Sequence, residues 1–234
     1  MTIKEIKAPE QNSFMNSRRQ ILSRNSAFVA QEAYKSLRTN VRFALRGKGC
    51  KKICITSGAA GEGKSITFLN FAISMSEAGQ KVLLIDADMR RPALARLLVE
   101  KAAPGLSNVL AGLVTPEEAV HKEVYPNLDV IFAGDVPPNP SELLGSERLE
   151  EMIEKFSSQY DYILIDTPPV NIVSDACIVA NMLDGVLLLV RQDSSRKDEV
   201  RRAVTRLQLT GAKLMGYILN DATLDKQKSC SYYG

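Results

Sequence analysis

The stretch that decides the fold runs from Ile53 to Glu77: ICITS (53–57), GAAGEGKS (58–65) and ITFLNFAISMSE (66–77). A short apolar run, a glycine-rich turn and an apolar helix, in that order, make a complete phosphate-binding P-loop. Glycines at 58, 61 and 63 let the backbone curl and aim its N–H groups at phosphate oxygens. The helix beginning near Lys64 adds about half a positive charge at its N-terminus. Lys64 is placed to reach the β- and γ-phosphates, and the Ser65 hydroxyl to bind Mg2+. Nucleotide contacts are therefore expected from Gly58, Ala59, Ala60, Gly61, Glu62, Gly63, Lys64, Ser65 and Ile66.

Outward from that segment, strands and helices alternate. Residues 26–46 carry Phe28, Val29, Leu37, Val41 and Leu45 near helical spacing, and Gly47 ends that helix. The P-loop helix is expected over 64–78, closed by Gly79. Strands are expected over 52–57, 81–86, 128–132, 161–166, 185–191 and 213–220, with helices over 146–156, 174–182 and 195–209. A less regular region with Pro104, Gly105 and Pro116 precedes the third strand, and a proline-rich loop spans 136–140. Strands rich in Val, Ile and Leu on both faces imply a mainly parallel, doubly wound α/β sheet with helices on both sides.

Two other strands end in carboxylates. VLLIDAD leaves Asp86 and Asp88 where the second strand stops, and YILIDTPP leaves Asp166 at the end of another. Ligands of open α/β sheets bind beyond the carboxyl ends of the strands, so all three acids are expected beside the P-loop. Mg2+ takes hard oxygen ligands and keeps several waters, which one or two such carboxylates suit. The expected metal set is Ser65, Asp86, Asp88 and Asp166; a strand-terminal Asp can instead cap the following helix.

The runs EAYKSLRTNVRFA (32–44), SGAAGEGKS (57–65), VLLIDADMRRP (82–92), PPNPSELL (137–144), YILIDTPP (162–169), SDA (174–176) and GYILND (216–221) together resemble the bacterial tyrosine kinase (BY-kinase) family. The likeness is to its stand-alone cytosolic CpsD/CapB-type branch, which acts with a membrane adaptor in capsule or exopolysaccharide synthesis, and it covers about residues 26–234. The resemblance implies a P-loop NTPase fold and an ATP- and Mg2+-dependent protein-tyrosine kinase. It assigns catalytic roles to Lys64, Asp86, Asp88 and Asp166, with Asp86 orienting the tyrosine hydroxyl. An ordinary Asp and a Tyr differ by about six pKa units, so Asp86 is expected to orient the hydroxyl and accept its proton late. Asn220 resembles the position that contacts the base.

The resemblance also implies a ring-shaped homo-oligomer, often an octamer, built through Glu32, Lys35 and Arg38. Their spacing puts them on one helical face. The family's pattern has arginine where Lys35 stands, which removes bidentate geometry. Tyr232 and Tyr233 in the 221–234 tail are the expected phosphoacceptors, phosphorylated in trans on a short tether. A positioning or assembly ATPase of the same superfamily is the competing reading. Such ATPases carry a lysine five residues before the P-loop lysine, where this chain has Ala59. A regulatory module whose nucleotide only sets oligomeric state is a third. Arg90 and Arg91 are open to two readings, a phosphate or acceptor contact and plain surface charge.

Composition narrows the remaining classes. A net charge of +3 on 234 residues implies no nucleic-acid partner. Cys50, Cys54, Cys177 and Cys230 show neither CxxC pairing nor metal spacing, consistent with a reduced cytoplasmic compartment. No apolar run reaches the roughly 18 residues of a membrane span, so any membrane association is expected to come through the adaptor. Residues 1–25 read as a flexible arm. His121, the one histidine, is expected at the surface in a polar stretch between helices.

Overall fold

In the computed structural model the described residues are 20–222. The chain alternates as expected through α1 (Phe28–Ala44), β1 (Lys51–Ser57), α2 (Lys64–Glu77), β2 (Val82–Asp86), α3 (Leu94–Leu98) and α4 (Leu106–Leu110). It continues with β3 (Val120–Tyr125), β4 (Leu128–Ile131), α5 (Pro140–Leu144), α6 (Glu147–Ser157) and β5 (Tyr162–Asp166). The last elements are α7 (Asp175–Ala180), β6 (Gly185–Arg191), α8 (Lys197–Leu209) and β7 (Leu214–Asn220).

The seven strands lie in the order β3-β4-β2-β5-β1-β6-β7. All neighbours are parallel except β3 against β4. Both faces are covered, which is why β2 and β5 are buried along their whole length. One face packs Leu149, Met152, Ile153 and Phe156 of α6 with Val179 of α7 and Leu207 of α8. The other packs Phe68, Leu69, Phe71 and Met75 of α2 with Val41 of α1. The register sets Asp86 beside Asp166 and Ile55 beside Asp166, so the ends of β2, β5 and β1 lie side by side.

Three departures from the sequence reading have local causes. β3 occupies part of the region read as irregular; its alternation is broken by Glu123 at φ 51° and a register shift between His121 and Tyr125. His121 therefore sits in an edge strand, half-buried, with its ring edge-on to Phe132 at 4.6 Å between centroids. The helices α3, α4 and α5 have five residues each, too few to show a helical period.

The packed body also begins before residue 26. The Leu22 N–H donates to Asn70 Oδ1 at 2.7 Å, and Asn70 Nδ2 donates to Gln20 O at 2.8 Å and to the Tyr34 hydroxyl at 3.1 Å. With those groups satisfied, Leu22 buries its side chain against the α1–α2 side of the core, a gain of about 1.5–3 kcal/mol. The tail tyrosines Tyr232 and Tyr233 lie outside the described residues. Among the described residues no helix is long and apolar enough to cross a membrane.

Candidate active site

The P-loop leaves β1 at Ser57 and enters α2 at Lys64 through Gly63, whose φ of 93° is left-handed. The loop is braced from the β6–β7 side. Asn220 Nδ2 donates to Glu62 O at 2.9 Å, and Arg191 Nη1 donates to Gly61 O at 3.2 Å. The Glu62 carboxylate, buried, accepts from the Ala59 N–H at 3.2 Å and from the Ser195 hydroxyl. The Asn220 amide, expected at the base, thus also props the loop backbone.

Lys64 is nearly buried and lies between two acids, 3.8 Å from Asp88 and 3.9 Å from Asp166. Asp166 is fully buried and neither of its carboxylate oxygens has a hydrogen-bond partner. Burial raises the Asp166 pKa, opposed by the Lys64 ammonium and the Ser65 hydroxyl. Asp88 is raised by burial too, again opposed first by Lys64. Buried carboxyl oxygens without donors are rare in folded proteins and mark a place where a cation or its water belongs. No group of three acids, cysteines or histidines among the described residues forms a metal cage on its own. The donor set therefore fits an ion that takes part of its coordination from water and phosphate, as Mg2+ does.

Asp86 differs from its neighbours. Its Oδ1 accepts the Asp88 N–H at 3.1 Å, and its Oδ2 accepts the N–H groups of Ala93 at 3.2 Å and Leu94 at 3.1 Å. It caps α3 and closes the loop that carries Asp88, the alternative open to a strand-terminal Asp. Burial and the adjacent Asp166 raise its pKa, against the Leu94 N–H, which lowers it.

The helical residues expected at a subunit contact are split by the structure. Lys35 Nζ pairs with Glu32 at 2.7 Å on the exposed side of α1. Arg38 instead turns inward, donating from Nη1 to Ser74 O at 2.6 Å and bracing α1 on α2. A cavity of about 1110 Å³, lined by Arg24, Lys35 and Arg38 among others, adjoins this contact and is separate from the P-loop.

Arg90, open to two readings from the sequence, makes contacts within its own domain that spacing could not reveal. Its Nε donates to Asp175 Oδ2 at 3.0 Å and its Nη2 to the Ser141 hydroxyl at 2.9 Å. Neither Ser141 nor Asp175 was singled out from the sequence, although both lie in the quoted runs PPNPSELL and SDA.

Comparison with known proteins gives the family. Residues 50–194 match the AAA domain family model. Tyrosine-protein kinase YwqD of Bacillus subtilis (strain 168) is 38% identical over 203 residues, covering 87% of this chain and 86% of that protein. The chain belongs to the bacterial tyrosine-kinase family. Among solved structures, the chimerical protein CapA2B2 superposes with a TM-score of 0.80 at 33% identity, covering 86% of this chain and 88% of that one. The septum site-determining protein MinD of Pyrococcus horikoshii, complexed with Mg-ADP, is more distant, with a TM-score of 0.64 at 26% identity, covering 76% of this chain and 73% of that one. This tyrosine kinase thus shares the nucleotide-binding P-loop fold with the positioning ATPases and lies nearer the kinases.

Proposed function

We propose that this kinase uses Mg2+-bound ATP to phosphorylate Tyr232 and Tyr233 of its own tail in trans. In this reading the cycle regulates capsular or exopolysaccharide synthesis together with a membrane adaptor, which draws the cytoplasmic chain to the membrane. The observation that carries the proposal is Lys64 poised at the foot of the P-loop between Asp88 and Asp166, whose buried carboxylate accepts no hydrogen bond.

The bound Mg2+–ATP would supply the phosphoryl group and spread its charge, and phosphoryl transfer asks little else of a protein beyond positioning. The P-loop N–H groups hold the phosphates. Lys64 stands farther from both acids than a direct hydrogen bond, so it can turn to the γ-phosphate without breaking one. Ser65, Asp88 and Asp166 offer oxygens to the metal. Asp86 fixes the loop, and its Oδ1, which accepts a single N–H, retains a lone pair for the acceptor's proton. Burial raises its proton affinity, which narrows the gap of about six units to tyrosine. Asn220 keeps its Oδ1 for the base. Glu32 and Lys35 remain available to a neighbouring subunit, with Arg38 committed mainly to its own domain.

Two phosphotyrosines add about −3 to −4 charges near a site already rich in carboxylates, so repulsion ejects the tail and loosens the ring. The test mixes two full-length variants with Mg2+–ATP and the adaptor. One carries Lys64→Met and keeps its tyrosines; the other keeps Lys64 and has both tyrosines changed to Phe. Mass spectrometry is expected to find phosphotyrosine on the Lys64→Met chain. ADP and free phosphate without phosphotyrosine would overturn the kinase cycle. Label on Tyr34 or Tyr160 in place of the tail would overturn the tail assignment.

A further inference from the structure

The β2–α3 connection carries Asp88 on its inner side and Arg90 on its outer side. Within the loop, Asp86 holds the N–H groups of Asp88, Ala93 and Leu94, and Asp88 Oδ1 accepts the Arg91 N–H at 3.1 Å. That leaves Asp88 Oδ2 facing Lys64. These bonds shape the loop but do not fasten it to the rest of the molecule on its outer side. Arg90 does so, through a closed triangle. Its Nε and Nη2 donate to Asp175 at 3.0 and 3.4 Å, its Nη2 donates to Ser141 Oγ at 2.9 Å, and Ser141 Oγ donates to Asp175 Oδ1 at 2.6 Å. Asp175 opens α7 and is completely buried, whereas the Arg90 side chain is 39% exposed. A buried carboxylate is tolerated only with a partner, and Arg90 is its charged one here. The triangle needs two parallel donors on one planar group, which arginine has and lysine lacks.

We propose that Arg90 is a positioning residue: through Asp175 and Ser141 it fixes the loop that aims Asp88 at the metal side of the phosphate site. The clamp joins three separate parts of the chain, the β2–α3 loop, α5 and α7, at Asp175, and it grips the loop two residues beyond the acid that faces Lys64. It rests on the reading that Mg2+ binds with the nucleotide at Asp88 and Asp166. An ion pair that merely stapled α5 to α7 would matter for folding alone; a positioning clamp matters for how much Mg2+ improves nucleotide binding.

The experiment titrates a fluorescent ADP analogue into the full chain, once in EDTA and once in saturating Mg2+, with thermal melts alongside. Groups that orient metal ligands typically change metal affinity by 10–100-fold. Arg90→Lys, which keeps a cation beside Asp175, and Asp175→Asn are therefore expected to lose about tenfold of the Mg2+-supported gain, with the EDTA affinity held within about twofold. Ser141→Ala, the mildest change, is expected to move the gain in the same direction by less. An unchanged Mg2+ gain in Arg90→Lys and Asp175→Asn, with a normal gain in the unmodified chain, overturns the clamp alone. So does an equal fall in both affinities that tracks the melting temperature, the mark of a purely structural role. No Mg2+ gain in the unmodified chain overturns the metal reading and the clamp with it.

Discussion

Two aspartates of the same sheet are treated in opposite ways. Asp129, on β4 near the sheet edge, accepts the Tyr160 hydroxyl at 2.6 Å, the Glu123 N–H at 2.7 Å and Lys122 Nζ at 3.1 Å. Asp166, at the end of β5 in the middle of the sheet, is more deeply buried and has no hydrogen-bond partner. Burial alone would raise both pKa values. At Asp129 the hydroxyl, the N–H and the ammonium together lower it, whereas at Asp166 Lys64 and Ser65 do not overcome burial. The edge acid is finished by the fold; the central acid is left for something the fold does not contain. An unsatisfied carboxylate is a cost to stability, tolerated where a ligand completes it.

The largest expected effect lies at the central acid. Asp166→Asn keeps the shape and removes the charge, so phosphotransfer should fall by at least about a hundredfold, as read by phosphotyrosine formed under Mg2+–ATP. The same change should raise the stability of the nucleotide-free protein by about 1–2 kcal/mol, because a fully buried carboxylate that accepts no hydrogen bond has gone while Lys64 keeps Asp88 at 3.8 Å. Full activity, or a lower melting temperature without nucleotide, would break the contrast.

Asp129→Ala should do the reverse. It removes the acceptor of the Tyr160 hydroxyl and of the exposed Glu123 N–H, for a loss of about 1 kcal/mol, visible as a lower denaturation midpoint. Nucleotide affinity should stay at its original level. A stability unchanged by this substitution would mean that the edge network is ornamental.

The smallest effect is in pH. The folded state lowers the Asp129 pKa, so its contribution is present above the ordinary carboxylate range and is lost as pH falls through the folded value. The stability difference between the unmodified chain and Asp129→Asn should therefore shrink as pH drops below about 4. Urea midpoints of both proteins at several pH values measure it; a constant difference would sink the assignment.

Most of the central sheet was legible because its strands are continuous runs of Val, Ile and Leu bounded by turns, and β6 (Gly185–Arg191) falls where the pattern put it. The P-loop was legible because its motif is local, running from Ser57 to Ile66, although its braces at Arg191, Ser195 and Asn220 are not. β3 was not, since Glu123 adopts a left-handed conformation that breaks the alternation mid-strand. The site beyond the P-loop was readable as a set of residues and unreadable as a set of roles. Asp86 and Asp166 look alike at the ends of apolar strands, yet one accepts N–H groups from two, seven and eight residues further along, and the other accepts none. Arg38, Arg90 and Asn220 find their partners across long stretches of chain, at Ser74, Asp175 and Glu62. No spacing rule reaches that far.

The contact between Gly63 and Asn220 carries a consequence for how such a chain can change over generations. A β-carbon at residue 63 would stand 2.5 Å from the Asn220 amide nitrogen, on a backbone already at φ 93°. Drift at position 63 is therefore opposed first by local geometry and then by a distant side chain that would have to swing off the Glu62 carbonyl. Position 220 is less constrained on its own, but a shorter residue there would leave the Glu62 carbonyl without its prop. A combinatorial library opening both positions should return glycine at 63 almost without exception. Asparagine at 220 should come back more loosely, so two positions far apart in the gene evolve under unequal but linked restraint.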